Sequence, residues 1–122
     1  MPKILIADDD AQLRALWAIN LSARGYDVVQ AVDGEECLAL VESEGPDIIL
    51  LDIGMPRVSG WEVLEELRGR SLRVPVILVT AQDQMEVQGR ARQLGTDQVL
   101  YKPLGVDTLL RAIEEAVRSG DP

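Results

Sequence analysis

A chain of 122 residues, 47% apolar and 27% charged, can bury one hydrophobic core, and its composition excludes disorder. Its net charge of −9 disfavours direct contact with nucleic acid or an anionic membrane surface, both of which depend on Lys and Arg. With no histidine and one cysteine, Cys37, it cannot build Ser-His or Cys-His hydrolase sites, zinc-histidine sites, its own phosphohistidine or a disulfide framework.

The opening "MPKILIADDD" has too short an apolar stretch for a signal peptide and belongs to the fold. No apolar run approaches the roughly 20 residues that span a bilayer, so a cytoplasmic protein is expected. Lys3 to Ala7 reads as a short buried strand. A helix follows from Ala11 to Arg24, with Leu13, Leu16, Trp17 and Leu21 at helical spacing and Gly25 as its stop. Tyr26 to Ala31 is a second strand, and Gly34 to Glu44 a second helix ending at Gly45-Pro46. Asp47 to Leu51 is a third strand. Beyond a breaker-rich loop, Gly60 to Arg70 is a helix with Val63, Leu64 and Leu67 on one face. Val74 to Val79 is a fourth strand, with Pro75 tolerated near its start. Gln82 to Leu94 is a weaker, polar helix, and Gly89 in its interior costs about 1 kcal/mol relative to Ala. Gln98 to Tyr101 is a fifth strand and Val106 to Arg118 the last helix. Ser119 to Pro122 reads as a loose tail or the start of a linker, leaving residues 1–118 as one domain.

Five alternations of strand and helix predict a doubly wound α/β domain with a five-stranded parallel sheet. The continuous apolar strands agree, because both faces of such a sheet are covered by helices. Ligands of open parallel sheets sit at the carboxyl ends of the strands. The first strand is followed by Asp8, Asp9 and Asp10, the third by Asp52, the fourth by Thr80 and the fifth by Lys102-Pro103. If the first and third strands are neighbours, their acids face each other. Carboxylates crowded in a low dielectric repel, and a cation would neutralise them. The available ligands are hard oxygens, which favours Mg²⁺ over zinc or copper. A carboxylate nucleophile, a metal, the Lys102 ammonium and the Thr80 hydroxyl are the parts for moving a phosphoryl group onto a carboxylate.

The acid pair in "ILIADDD", the "LLDIGMPRVSG" loop, "VILVTA" and "YKP" stand in order at four strand ends. In these residues the chain resembles the receiver domain of two-component response regulators, in the single-domain form of the chemotaxis regulators. The resemblance implies the flavodoxin-like strand order 2-1-3-4-5, which spacing alone does not give. It implies that Asp52 accepts phosphate from a sensor histidine kinase, a phosphotransfer protein or a small phosphodonor, and loses it slowly by autodephosphorylation. Asp9, Asp52 and the backbone carbonyl of Gly54 would bind Mg²⁺, with Asp8 acting through water. Thr80 would bond a phosphoryl oxygen, Lys102 would pair with the phosphoryl group, and Lys102-Pro103 would be cis. Output would run through the face formed by the fourth helix, fifth strand and fifth helix, toward a protein target or a separate output domain.

Three residues before Lys102, where the resemblance leads one to expect Tyr or Phe, stands Val99, with Tyr101 on the same side of the strand. Valine has no ring to swing, so switching is expected to rest on the loop after the fourth strand and on the fourth helix. Asp10 reads as a helix N-cap and Trp17 as core. Gly60 reads as a helix start only, Trp61 as partly buried, and Cys37 as a small buried or half-buried helix residue. Two other functions compete. A haloacid-dehalogenase-type phosphatase would want an acid two residues past the nucleophile, where this chain has Gly54. A phosphate-independent interaction module would not need Asp9, Asp52, Thr80 and Lys102 together.

Overall fold

The computed structural model describes residues 2–81, 84–96 and 98–119. Five strands alternate with five helices: β1 (Lys3–Ala7), α1 (Ala11–Ala23), β2 (Asp27–Ala31), α2 (Gly34–Glu44), β3 (Ile48–Asp52), α3 (Gly60–Gly69), β4 (Val76–Thr80), α4 (Gln84–Gln93), β5 (Val99–Tyr101) and α5 (Val106–Ser119). All neighbouring strands are parallel, in the order β2-β1-β3-β4-β5. The fold is therefore the doubly wound α/β arrangement expected. β1 and β3 are adjacent, with Ala7 opposite Leu51.

The sheet is buried on both sides because successive side chains point to opposite faces. Leu5, Ala7, Ile49, Leu51 and Leu78 join α2, α3 and α4 in one core. Ile4, Ile6, Ile48, Leu50 and Ile77 join α1 and α5 in the other. At roughly 25 cal/mol per Å² of apolar surface removed from water, these two layers dominate the stability. Helix entries follow local chemistry. Asp10 caps α1 by accepting from the Gln12 and Leu13 amides, Asp33 caps α2 through Glu36, and Ser59 caps α3 through Glu62. Cys37 lies in the α2 core, and burial pushes its thiol pKa up to about 12.

Several boundaries differ from the sequence reading. Tyr26 precedes β2, its amide closing the end of α1 on the Leu21 carbonyl. Asp47 precedes β3 and is held by the Lys3 main chain, accepting its amide at 2.7 Å. Val74 and Pro75 lie before β4, and Gln98 before β5. Helices α1, α3 and α4 each end one residue sooner than expected, and Ser119 is helical, not loose. Gln82, expected to begin α4, and residues 120–122, expected as tail, lie outside the described residues. Among the described residues no helix is long and apolar enough to cross a membrane.

Two readings in α3 need correction. Trp61 is buried, at 8% exposure, because the guanidinium of Arg90 on α4 lies 4.7 Å above its ring while Val87 and Ala91 share its core. Gly60 is more than a helix start. A Cβ there would run into the backbone of Asp52 and Ile53, so only glycine lets α3 come so close to the end of β3.

Candidate functional site

Asp52 and Thr80 are the final residues of β3 and β4, which run one residue further than expected, so sheet pairing fixes both backbones. Asp8 directly follows β1, and Lys102 directly follows β5. Parallel pairing brings all these ends to one edge. The Lys102 amide donates to the Thr80 carbonyl at 2.7 Å, which ties the last two strand ends together. The Lys102-Pro103 peptide is cis.

Ligand oxygens of Asp8, Asp9 and Asp52 all lie within 4.8 Å of one another. The Lys102 ammonium sits 3.2 Å from Asp8 Oδ2 and 3.6 Å from Asp52 Oδ2. The Gly54 amide donates to Asp52 Oδ1 at 3.1 Å. Asp8 is fully buried and Asp52 is 7% exposed, whereas Asp9 is exposed. Thr80 is buried. The six residues expected at the site thus occupy one end of the sheet.

The electrostatics follow from this crowding. Burial raises the pKa of Asp52, and the negative charges of Asp8 and Asp9 push the same way. The Gly54 amide and the Lys102 ammonium oppose them without reversing the shift. Burial works to lower the pKa of Lys102, yet attraction to Asp52 and Asp8 outweighs it and leaves the ammonium more firmly protonated. Three carboxylates facing one ammonium leave negative charge for a cation to neutralise. The donors are all hard oxygens, with Asp9 open to solvent, which fits magnesium and suits neither zinc nor copper.

Sequence reasoning missed the residues that hold this cluster from behind. Arg14 on α1 donates from Nη1 to the Asp8 carbonyl at 2.7 Å and from Nε to Gln30 Oε1 at 3.2 Å. The Asp10 amide donates to Asp8 Oδ1 at 2.9 Å, so Asp10 serves both as cap and as anchor. In the loop after Asp52, Arg57 has a left-handed φ of 64° and reaches across to Asp33 at 2.9 Å. Hydrogen bonding from the Glu36 amide, followed by Arg57, holds the Asp33 carboxyl below its usual pKa. Gly34 leaves room for Val58 of that loop, where a Cβ would collide. The helical offset of Arg14 from the acid pair was the available signal, since side chains lean toward a helix N-terminus.

Val99 and Tyr101 are half-buried against the same core. The two share one face of β5, with Tyr101 directly before Lys102.

A family model described as "Response regulator receiver domain" matches residues 4–114. The chain is 40% identical over 123 residues to the "DNA-binding dual master transcriptional regulator RpaA" of Synechocystis sp., covering 99% of this chain and 51% of that protein. It spans about half the length of the curated relatives it matches. The Francisella response regulator 1452 receiver domain superposes with a TM-score of 0.89 at 32% identity, covering 98% of this chain and 99% of that one. The CheY-like receiver domain protein of Methanospirillum hungatei superposes with a TM-score of 0.92 at 30% identity, covering 98% and 96%. The chain belongs to the response regulator receiver domain family.

Proposed function

We propose that this receiver domain is a phosphoacceptor switch in a two-component phosphorelay, with Asp52 as the residue modified. The observation that carries the reading is a buried carboxylate at a strand end, 3.6 Å from the Lys102 ammonium and grouped with the Asp8 and Asp9 carboxylates. An Asp52 oxygen attacks the phosphorus of a phosphohistidine on a sensor kinase or phosphotransfer protein. The O–P bond forms as the N–P bond breaks, and the imidazole leaves with a proton from solvent. Burial makes Asp52 the more basic nucleophile, while Lys102 and the Gly54 amide favour its ionised form. Lys102 then pairs with a phosphoryl oxygen, and the Thr80 hydroxyl donates to another.

Asp9, Asp52 and the Gly54 carbonyl would hold magnesium directly and Asp8 through water. Bound there, the ion supplies positive charge against the carboxylates and the phosphoryl oxygens. With Gly54 where a general acid would stand, the acyl phosphate hydrolyses slowly, as befits a switch that does not turn over substrate. The domain extends at least to Ser119, the last residue of α5, and meets its kinase in the cytoplasm. The chain does not itself touch nucleic acid. Output passes through the face of α4, β5 and α5 to a protein target or an output domain.

With Val99 in place of a ring, the signal travels by the backbone after β4 and by α4. Beryllofluoride, a phosphoryl analogue, tests both parts by amide spectra. Mg²⁺-dependent binding that shifts residues around Asp52 and within 81–101 supports the reading. Binding that leaves 81–101 unmoved refutes the route through α4, and absence of binding refutes the phosphoacceptor role.

A further inference from the structure

Asp8 has every polar atom accounted for. Its amide donates to the Ala31 carbonyl at 3.2 Å, its Oδ1 accepts from the Asp10 amide and its Oδ2 from Lys102. Its carbonyl lies beyond the ladder, because β1 and β2 pair only through Ala7 and Ala31. There the donor comes from a side chain, Arg14 Nη1, at 2.7 Å. A buried carbonyl without a donor is costly, and a charged donor makes a stronger bond than a neutral one. Gln30 on β2 steadies the guanidinium from the other side.

The bonded oxygen belongs to the peptide plane that joins Asp8 to Asp9. That plane is rigid, so fixing its oxygen fixes the direction in which the chain delivers the Asp9 Cα. Asp9 is the exposed member of the three-carboxylate group and the one whose placement the sheet does not determine. Arg14 is moreover half-buried, where solvent weakens its bond less than on an open surface.

We propose that Arg14 is a positioning residue for the acid pair: by clamping the Asp8–Asp9 peptide it presets Asp9 to receive the divalent cation. This rests on the reading of the cluster as a magnesium site. The arrangement does not need Arg14 to touch the ion. It needs the two-pronged hold on the Asp8 carbonyl and Gln30, which a lysine reproduces only in part.

The test is a Mg²⁺ titration of the intact chain followed by the amide signals of residues 8–10 and 52–54, which reads the dissociation constant directly. The half-saturating Mg²⁺ and limiting rate of phosphorylation by acetyl phosphate are measured beside it. Arg14→Met, which keeps the stem and removes the donors, should raise the dissociation constant about tenfold, the scale on which groups orienting metal ligands act. Arg14→Lys should fall between Arg14→Met and the parent, and Gln30→Ala should shift the constant in the same direction by less. Half-saturating Mg²⁺ should rise by a larger factor than the limiting rate falls. Variants that melt earlier yet bind Mg²⁺ like the parent would show a purely structural role and overturn the proposal. Should Arg14→Met fail to fold, unchanged Mg²⁺ binding in both Arg14→Lys and Gln30→Ala overturns it equally. If the parent itself binds no Mg²⁺, the magnesium reading falls and the proposal with it; parent binding with unaffected variants overturns the proposal alone.

Discussion

Replacing Asp52 by asparagine should stabilise this protein, although it removes the residue on which its chemistry depends. Asn keeps the shape and the oxygen that accepts from the Gly54 amide, and removes one of three clustered negative charges. At an effective dielectric of about 20, like charges no more than 4.8 Å apart repel by at least about 3.5 kcal/mol, and the Lys102–Asp52 pair at 3.6 Å attracts by about 4.6 kcal/mol. Two repulsions against one attraction leave about 2 kcal/mol opposing folding. Solvent at Asp9 screens part of that, so a gain of about 1–2 kcal/mol is expected, or roughly 4–8 °C in Tm for a domain of this size. The pH dependence has a definite sign. The folded-state pKa of Asp52 is raised above its ordinary 3.8, so the native state holds the extra proton between those two values. Stability therefore falls as pH rises through that window. The advantage of Asp52→Asn should be full once pH exceeds the raised folded-state pKa and disappear as pH drops below about 4. Urea denaturation at low salt without Mg²⁺ measures it. Saturating Mg²⁺ at about 100 times its dissociation constant should add about 2.7 kcal/mol to the parent and much less to the variant. A variant no more stable than the parent at pH 7 would refute the account of unrelieved repulsion.

Other substitutions probe how the site is supported. Gly60→Ala should cost about 2–3 kcal/mol in urea unfolding and weaken beryllofluoride binding, because the new methyl meets the Asp52 and Ile53 backbone. Gly89→Ala, where a Cβ meets open space on α4, should add up to about 1 kcal/mol by the same measurement. Arg68→Ala should lose about 2 kcal/mol, since its guanidinium donates to the carbonyls of Leu72, Val74 and Leu94 and pins the end of α4 to α3. That variant should also broaden amide signals within 84–96, and a sharp, parent-like spectrum there would contradict the pinning.

The path from residues to site was legible where one local rule sufficed. Asp52, Thr80 and Lys102 each end an apolar run bounded by breakers, so their place at one sheet edge followed from the alternation of strand and helix. Asp10 was readable as a cap because its carboxylate bonds to amides two and three residues ahead. Strand order was different, since it came from resemblance to a family and not from spacing. Features made by two distant segments stayed hidden. Trp61 sits one turn into α3, near the loop, and read as only partly buried, but Arg90 and Val87 of α4 cover it. Gly60 passed for a helix start because the backbone it touches comes from the preceding strand. Arg14 was not singled out because its partner at the acid pair is a main-chain oxygen, and only its helical offset pointed to it. The starts of β2, β3 and β4 came later than read, and β3 and β4 ran one residue further, because hydrogen bonding, not hydrophobicity, decides where a ladder ends.

The central claim is that Asp52 takes a phosphoryl group. Intact-mass spectrometry after incubation with acetyl phosphate tests it most directly, with and without Mg²⁺ and with Asp52→Asn alongside. The account predicts a gain of one phosphoryl group that requires Mg²⁺ and is absent from the variant. No adduct on the parent, or an adduct that persists in Asp52→Asn, would contradict it.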